Sequence, residues 1–300
     1  MKLIIVHRNV DLDAVISAYM YVLKDLEAEV EVEYTLEPSF IRIGNLGITT
    51  EEHFENATKL TKIDKIVVLD MPMKEEIESK AKELGVEIEH YDHHDGSAPS
   101  TARILWEKFK LPEWAGYLVE LADYSDTGMV LRLPAPAKYF HITGYINALR
   151  TSGYRDLGII SIIFGILNNY TAMLKNLCEA EKLIEDVEIV NVGELKVAIV
   201  ENKPHTVNQI LFEHRNVDFI IFKDDNNLGI TRNALITKPD LNELKPHLEK
   251  MLREKGAENE IKEWFFHPAG FIAARGTRKH PAKTPSVLSP HDLVSLLAAL

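Results

Sequence analysis

The chain reads as a two-domain α/β protein. Two observations predict this. Short β-branched runs alternate with helical stretches over the first 110 residues or so, and the pattern then restarts in a different style after a charged segment, 179–187. The first domain, 1–185, is expected to hold a mostly parallel sheet with helices on both faces. The second, 186–300, is expected to be a smaller α+β domain with a mixed sheet.

Taken in order, Lys2 to Val6 (KLIIV) is a buried strand and Asp13 to Asp25 a helix with Ala14, Ala18, Tyr21 and Val22 near one face. Glu29 to Tyr34 alternates charged and apolar residues, as a half-exposed strand does. Glu51 to Leu60 can be helical. Lys65 to Leu69 (KIVVL) is the second buried strand, Lys74 to Leu84 a helix stopped by Gly85, and Val86 to His90 a third strand. Thr101 to Phe109 is the next helix, and 139–185 is mainly helical. In the second domain, Val187 to Val192 and Leu195 to Val200 pair around Gly193-Glu194. His205 to His214 is a helix. Phe219 to Phe222 and Leu228 to Ile236 are strands, Leu241 to Lys255 is a helix, and Phe271 to Ala274 is a further strand.

Composition narrows the function. The one cysteine, Cys178, excludes an internal disulfide and the cysteine-based zinc clusters. No uninterrupted apolar segment matches a membrane span, and the polar residues after Val6 do not suit a signal peptide, so a cytoplasmic protein without a membrane role is expected. Net charge is -12, and residues 1–185 hold 19 Lys or Arg against 30 Asp or Glu. That field repels long duplex nucleic acid but admits a short substrate in a local pocket.

Four polar groups follow, or lie beside, buried elements: His7, Asp11 and Asp13 after the first strand, Asp70 after the second, Asp92-His93-His94 after the third, and Asp123 with Asp126 later. Asp13 also reads as the N-cap of the first helix. In a parallel sheet such groups gather at the carboxyl edge. Crowded carboxylates repel one another, and divalent cations relieve that repulsion. Oxygen ligands with a few imidazoles suit manganese, with magnesium as a substitute. A central carboxylate such as Asp70 can bridge two ions, which together activate a water for attack on a phosphoryl group.

These motifs, in this order, resemble the DHH phosphoesterase superfamily, which includes RecJ-like and oligoribonuclease-like enzymes. His7-Arg8-Asn9-Val10-Asp11-Leu12-Asp13-Ala14 matches its first motif, Asp70 its second, Asp92-His93-His94 the triplet that names it, and Ser125-Asp126-Thr127-Gly128 its fourth. The resemblance implies two manganese ions with a hydroxide between them. His7 and Asp11 with Asp70 would hold one; Asp13, Asp70, His93 and Asp126 the other. His94 would meet the scissile phosphate, with Asp92 orienting its neighbours. Asp126 fits the fourth motif better than Asp123, which stays in reserve.

From Trp264 to Pro285 there are Lys and Arg residues but no Asp or Glu, so Arg275, Arg278, Lys279 and Lys283 form a basic patch. His267-Pro268-Ala269-Gly270 resembles part of the family's glycine-rich substrate segment, but Phe265 and Phe266 stand where that segment has glycines. They read as core packing or as a stacking surface for a base. His267, Arg275, Arg278 and Lys279 are therefore the expected substrate-binding residues. The expected activity is manganese-dependent hydrolysis of a phosphodiester or phosphomonoester in a short oligonucleotide, a dinucleotide or a nucleoside bisphosphate. The alternatives are a pyrophosphatase or polyphosphatase, and a weakly active or inactive adaptor in nucleic-acid processing. The sequence leaves a homodimer or a partner protein open.

Overall fold

The computed structural model describes residues 1–27, 32–236, 239–277 and 279–300. The chain divides into two units, Met1–Lys175 and Asn176–Leu300. The division falls inside one long helix, α8 (Asp156–Leu183), where the sequence places a domain boundary near Glu185.

Unit 1 is built on a six-stranded sheet. Its strands are β1 (Lys2–Val6), β2 (Thr35–Leu36), β3 (Ile41–Ile43), β4 (Leu46–Thr50), β5 (Lys65–Leu69) and β6 (Glu87–Tyr91), in the spatial order β2-β3-β4-β1-β5-β6. The pairs β4–β1, β1–β5 and β5–β6 are parallel, and β2–β3–β4 is antiparallel. Parallel strands need cover on both faces, which explains the unbroken apolar runs KLIIV and KIVVL. Side chains alternate across the sheet. Leu3, Ile5, Ile66 and Val68 pack with Phe54 and Ala57 of α2 (Phe54–Leu60) and with Ile77 and Ala81 of α3 (Glu75–Leu84). The other face meets α1 (Leu12–Asp25), on which α4 (Thr101–Phe109) and α5 (Gly116–Asp126) pack. Each fully buried Ile or Val contributes about 1.5–3 kcal/mol.

Three expectations change here. The cap of α1 is Asp11, whose side chain accepts from the Ala14 N–H; Asp13 lies one turn inside the helix and has another task. The strand expected over Glu29 to Tyr34 falls partly outside the described residues, and Val32 to Tyr34 form no strand. Finally, α8 is long and apolar enough, by length and composition, to cross a membrane, although no such segment was expected. Within it Ile159, Ile160, Ile163, Phe164 and Leu167 are buried in the fold, and Phe164 meets Tyr19 edge-on at 5.1 Å.

The helices α6 (Ala137–Phe140) and α7 (Ile142–Thr151) precede α8. Unit 2 carries a second six-stranded sheet of β7 (Glu188–Val192), β8 (Leu195–Glu201), β9 (Phe219–Asp224), β10 (Asn227–Arg232), β11 (Trp264–Phe266) and β12 (Ile272–Arg275), ordered β11-β12-β10-β9-β8-β7. Only β8–β9 is parallel, joined through α9 (Thr206–His214), so the sheet is mixed. Its core takes Leu248 and Leu252 from α10 (Lys245–Glu254) and Leu293 and Leu296 from α11 (Pro290–Leu297).

Candidate metal centre

Three adjacent parallel strands, β1, β5 and β6, end on the same edge of the unit 1 sheet. His7, Asp70 and Asp92-His93-His94 follow them directly. Local chemistry then aims each side chain. Asp70 has φ +56°, a left-handed conformation that aspartate tolerates better than most residues. Its N–H donates to the Tyr91 carbonyl at 3.0 Å, tying the end of β5 to the end of β6. Its carboxylate is 2% exposed and lies between two imidazoles. Oδ2 is 3.5 Å from His7 Nε2, and Oδ1 is 3.4 Å from His93 Nε2.

Around this carboxylate the ligand atoms fall into overlapping triads. His7, Asp11 and Asp70 bring theirs within 4.8 Å of one another, as do Asp13, His93 and Asp126, and Asp70, His93 and His94. His7 Nδ1 is 2.8 Å from the Arg8 carbonyl, which accepts the Nδ1 proton and turns Nε2 toward Asp11 and Asp70. His93 Nε2 also lies 3.7 Å from Asp13 and 3.3 Å from Asp126.

Asp13 sits at the N-terminus of α4. It accepts from the N–H groups of Thr101 at 2.7 Å and Ala102 at 3.0 Å, and from the Ser17 hydroxyl. These donors belong to the first turn of a helix, where backbone N–H groups lack intrahelical partners. Thr101 adds a hydroxyl bond of 3.0 Å to Asp70. Its role was not read from the sequence, because nothing in the string places the start of α4 beside two remote aspartates. The two late aspartates part company. Asp126 faces His93, whereas Asp123 accepts from Ser100 and from the Arg103 guanidinium, 2.7 Å from its Nε. His94 Nδ1 and Asp92 Oδ1 are 2.5 Å apart, and His94 is exposed.

The electrostatics are those of a crowded anionic site. Burial works against charge on His7, but hydrogen bonds to Asp11 and Asp70 outweigh it and push the imidazole up to about 11. Burial, then the charge of Asp70, raises Asp13 well above the usual carboxylate range. Burial also raises Asp126, an effect His93 opposes. Asp11 is held low: burial would raise it, but the bonds from His7 and the Ala14 N–H prevail. The hydrogen bond to Asp92 raises His94. Four carboxylates and three imidazoles make up these triads, a set of oxygen and nitrogen donors suited to hard divalent cations.

The expected substrate residues of unit 2 have differing settings. Lys279 is exposed. His267 is partly buried, 4.1 Å from the Phe271 ring between centroids, with Nδ1 accepting from the Ala269 N–H at 3.1 Å. Arg278 lies outside the described residues. Arg275 does not fit its expected role. It is 1% exposed, and its guanidinium is held by Glu263 at 2.7 Å and by the Thr284 carbonyl, with Glu260 at 3.4 Å. The alternation of β12 turns it inward, so it braces the fold. Of the two phenylalanines, Phe266 packs on the core and Phe265 is 51% exposed, as alternation along β11 requires.

No family model matches the chain, and no curated protein matches it in sequence. Among solved structures it is similar to an uncharacterized protein from Helicobacter pylori at 12% identity and TM-score 0.33, covering 100% of this chain and 99% of that one. It is similar to RecJ from Thermus thermophilus in complex with Mn2+ at 15% identity and TM-score 0.33, covering 99% of this chain and 56% of that one. It is also similar to exonuclease RecJ bound to manganese at 15% identity and TM-score 0.33, covering 99% and 90%.

Proposed function

We propose that the protein is a DHH-type, manganese-dependent phosphoesterase that hydrolyses a phosphodiester or phosphomonoester in a short nucleotide. The observation that carries this reading is the position of Asp70, with one carboxylate oxygen toward His7 and the other toward His93. His7, Asp11 and Asp70 would hold one divalent ion, and Asp13, Asp70, His93 and Asp126 the other. When bound, such a pair supplies an acidified water and neutralises phosphoryl oxygens.

The chain's own residues do the rest. Asp70, with one oxygen toward His7 and the other toward His93, would contribute to both positions. The first turn of α4 holds Asp13 and Asp70 through fixed donors, so neither carboxylate must reorganise when substrate arrives. Asp92 orients His94 through Nδ1 and leaves Nε2 to meet the phosphate or to give the leaving oxygen a proton. The acidic surroundings disfavour a long polyanion, while exposed Lys279 and Phe265 suit a phosphate and a base.

The test is turnover by the metal-stripped full chain, reloaded with manganese. The panel comprises linear and cyclic dinucleotides, nucleoside bisphosphates, short RNA and DNA, and pyrophosphate. Cleavage of a nucleotide ester, lost in Asp70→Asn together with bound manganese, is the expected result. Turnover of pyrophosphate alone would replace the reading with a pyrophosphatase. No turnover of any substrate by a manganese-loaded protein would favour the adaptor.

A further inference from the structure

The loop from His7 to Asp11 carries a member of the His7–Asp11–Asp70 group at each end, and near its start the Arg8 N–H donates to Glu51 Oε1 at 3.2 Å. Its ends are fixed, by β1 on one side and by the Asp11 cap of α1 on the other. Its middle is held from a distant part of unit 1. The Asp156 carboxylate, opening α8, accepts from the Asn9 N–H at 2.8 Å with Oδ2 and from the Val10 N–H at 3.2 Å with Oδ1. Arg150, in the last turn of α7, donates to the Val10 carbonyl at 2.6 Å and to Asn147 at 3.2 Å. Three hydrogen bonds from the α7–α8 corner therefore grip two consecutive residues of the loop. Asn9 has φ +57°, a left-handed conformation that asparagine tolerates better than most residues, and the Asp156 bond to its N–H holds it there. Both carboxylate oxygens of Asp156 are engaged, and it belongs to none of the ligand triads.

We infer that Asp156 and Arg150 are positioning residues that set the affinity of the His7–Asp11–Asp70 ion and leave the other ion untouched. This rests on the metal centre proposed above. The selectivity follows from placement. The clamp acts on the backbone between His7 and Asp11. Asp13 is held by α4 and Ser17, while His93 and Asp126 lie on other elements.

The experiment is a manganese titration of the metal-stripped full chain by calorimetry, with bound ion followed by electron paramagnetic resonance. The wild type should take up two ions. In Asp156→Ala one of them should weaken by about 10–100-fold, as for losses of residues that orient metal ligands. The other should stay within about twofold. Arg150→Ala should weaken the same ion, and Arg150→Lys should restore it in part, because its ammonium can still donate to the Val10 carbonyl but not also to Asn147. The Arg150 pair decides the matter if Asp156→Ala does not fold. Unchanged binding in the folded variants, or equal weakening of both ions, would overturn the clamp while the centre stands. A wild type that binds no manganese would overturn the centre, and the clamp with it.

Discussion

The Thr101 hydroxyl donates to Oδ1 of Asp70 across 3.0 Å, so the first turn of α4 orients the carboxylate that lies between His7 and His93. Both groups are buried. Thr101→Val keeps the shape and removes only this bond. The expected outcome is a loss of about 1 kcal/mol in thermal stability. Manganese affinity should fall about tenfold, as when an outer partner of a metal ligand is removed. A manganese titration beside a thermal melt reads both. Unchanged affinity would show that Asp70 is held by its backbone alone.

The charge pattern of the centre predicts how metal affinity varies with pH. His7 has a folded pKa raised to about 11, and Asp13 is raised well above its ordinary range. A group raised on folding stabilises the fold below its unfolded pKa and loses that contribution as pH climbs through the folded value. Without metal, His7 thus gives up its contribution progressively from about 6.5 toward about 11, and Asp13 gives up its own from about 3.8 upward. Asp11, depressed on folding, behaves oppositely and loses its contribution only toward acid. Manganese must displace the His7 and Asp13 protons, so its affinity should rise with pH. The gap in Tm between manganese-loaded and metal-free protein should widen from about pH 6 to about pH 8.5. Calorimetry in buffers of different ionisation enthalpy should register proton release. A gap independent of pH would contradict these raised values.

The parallel half of unit 1 was legible because its physics is local. KLIIV and KIVVL announce strands covered on both faces, and polar groups at their ends announce a shared edge. The β3–β4 hairpin went unread although its signal was present. Gly44-Asn45 separates two apolar runs, and Gly44 has φ +52°. The helix α11 was likewise signalled by Ser289 and Asp292, which form a capping box ahead of an apolar run. What no string could supply is the long-range traffic: Thr101 and Ala102 reaching Asp13, Asp156 reaching Asn9, Glu260 reaching Arg275. Those partners are set by which elements the fold brings together.

Asp123 and Asp126 are three residues apart in α5, yet their losses should differ in kind. Asp126 faces His93, so Asp126→Asn should cost one of two manganese ions with little change in metal-free stability. Asp123 pairs with Arg103 and Ser100, both largely buried. Asp123→Ala strands the guanidinium and should cost about 1–3 kcal/mol. Both ions should still bind. Counting bound manganese beside a denaturant melt separates the two. The reverse pattern would exchange their roles.

Arg275 and Lys279 stand four residues apart on the basic segment of unit 2 and are predicted to respond oppositely. The Arg275 guanidinium is 1% exposed, and its partner Glu260, 5% exposed, also accepts from the Ser286 hydroxyl and the Val287 N–H. Removing the cation leaves a buried carboxylate facing no counter-charge, so Arg275→Ala should destabilise unit 2 by about 3–5 kcal/mol. Its effect on turnover should track the folded fraction. Lys279 is exposed, so Lys279→Ala should leave the melt unchanged. If it meets a substrate phosphate, KM should rise severalfold with kcat preserved, because an interaction made equally in the ground and transition states changes binding alone. An unchanged KM in Lys279→Ala would remove it from the substrate surface. A stable Arg275→Ala variant with raised KM would return the arginine to that surface and show that Glu260 finds its charge balance elsewhere.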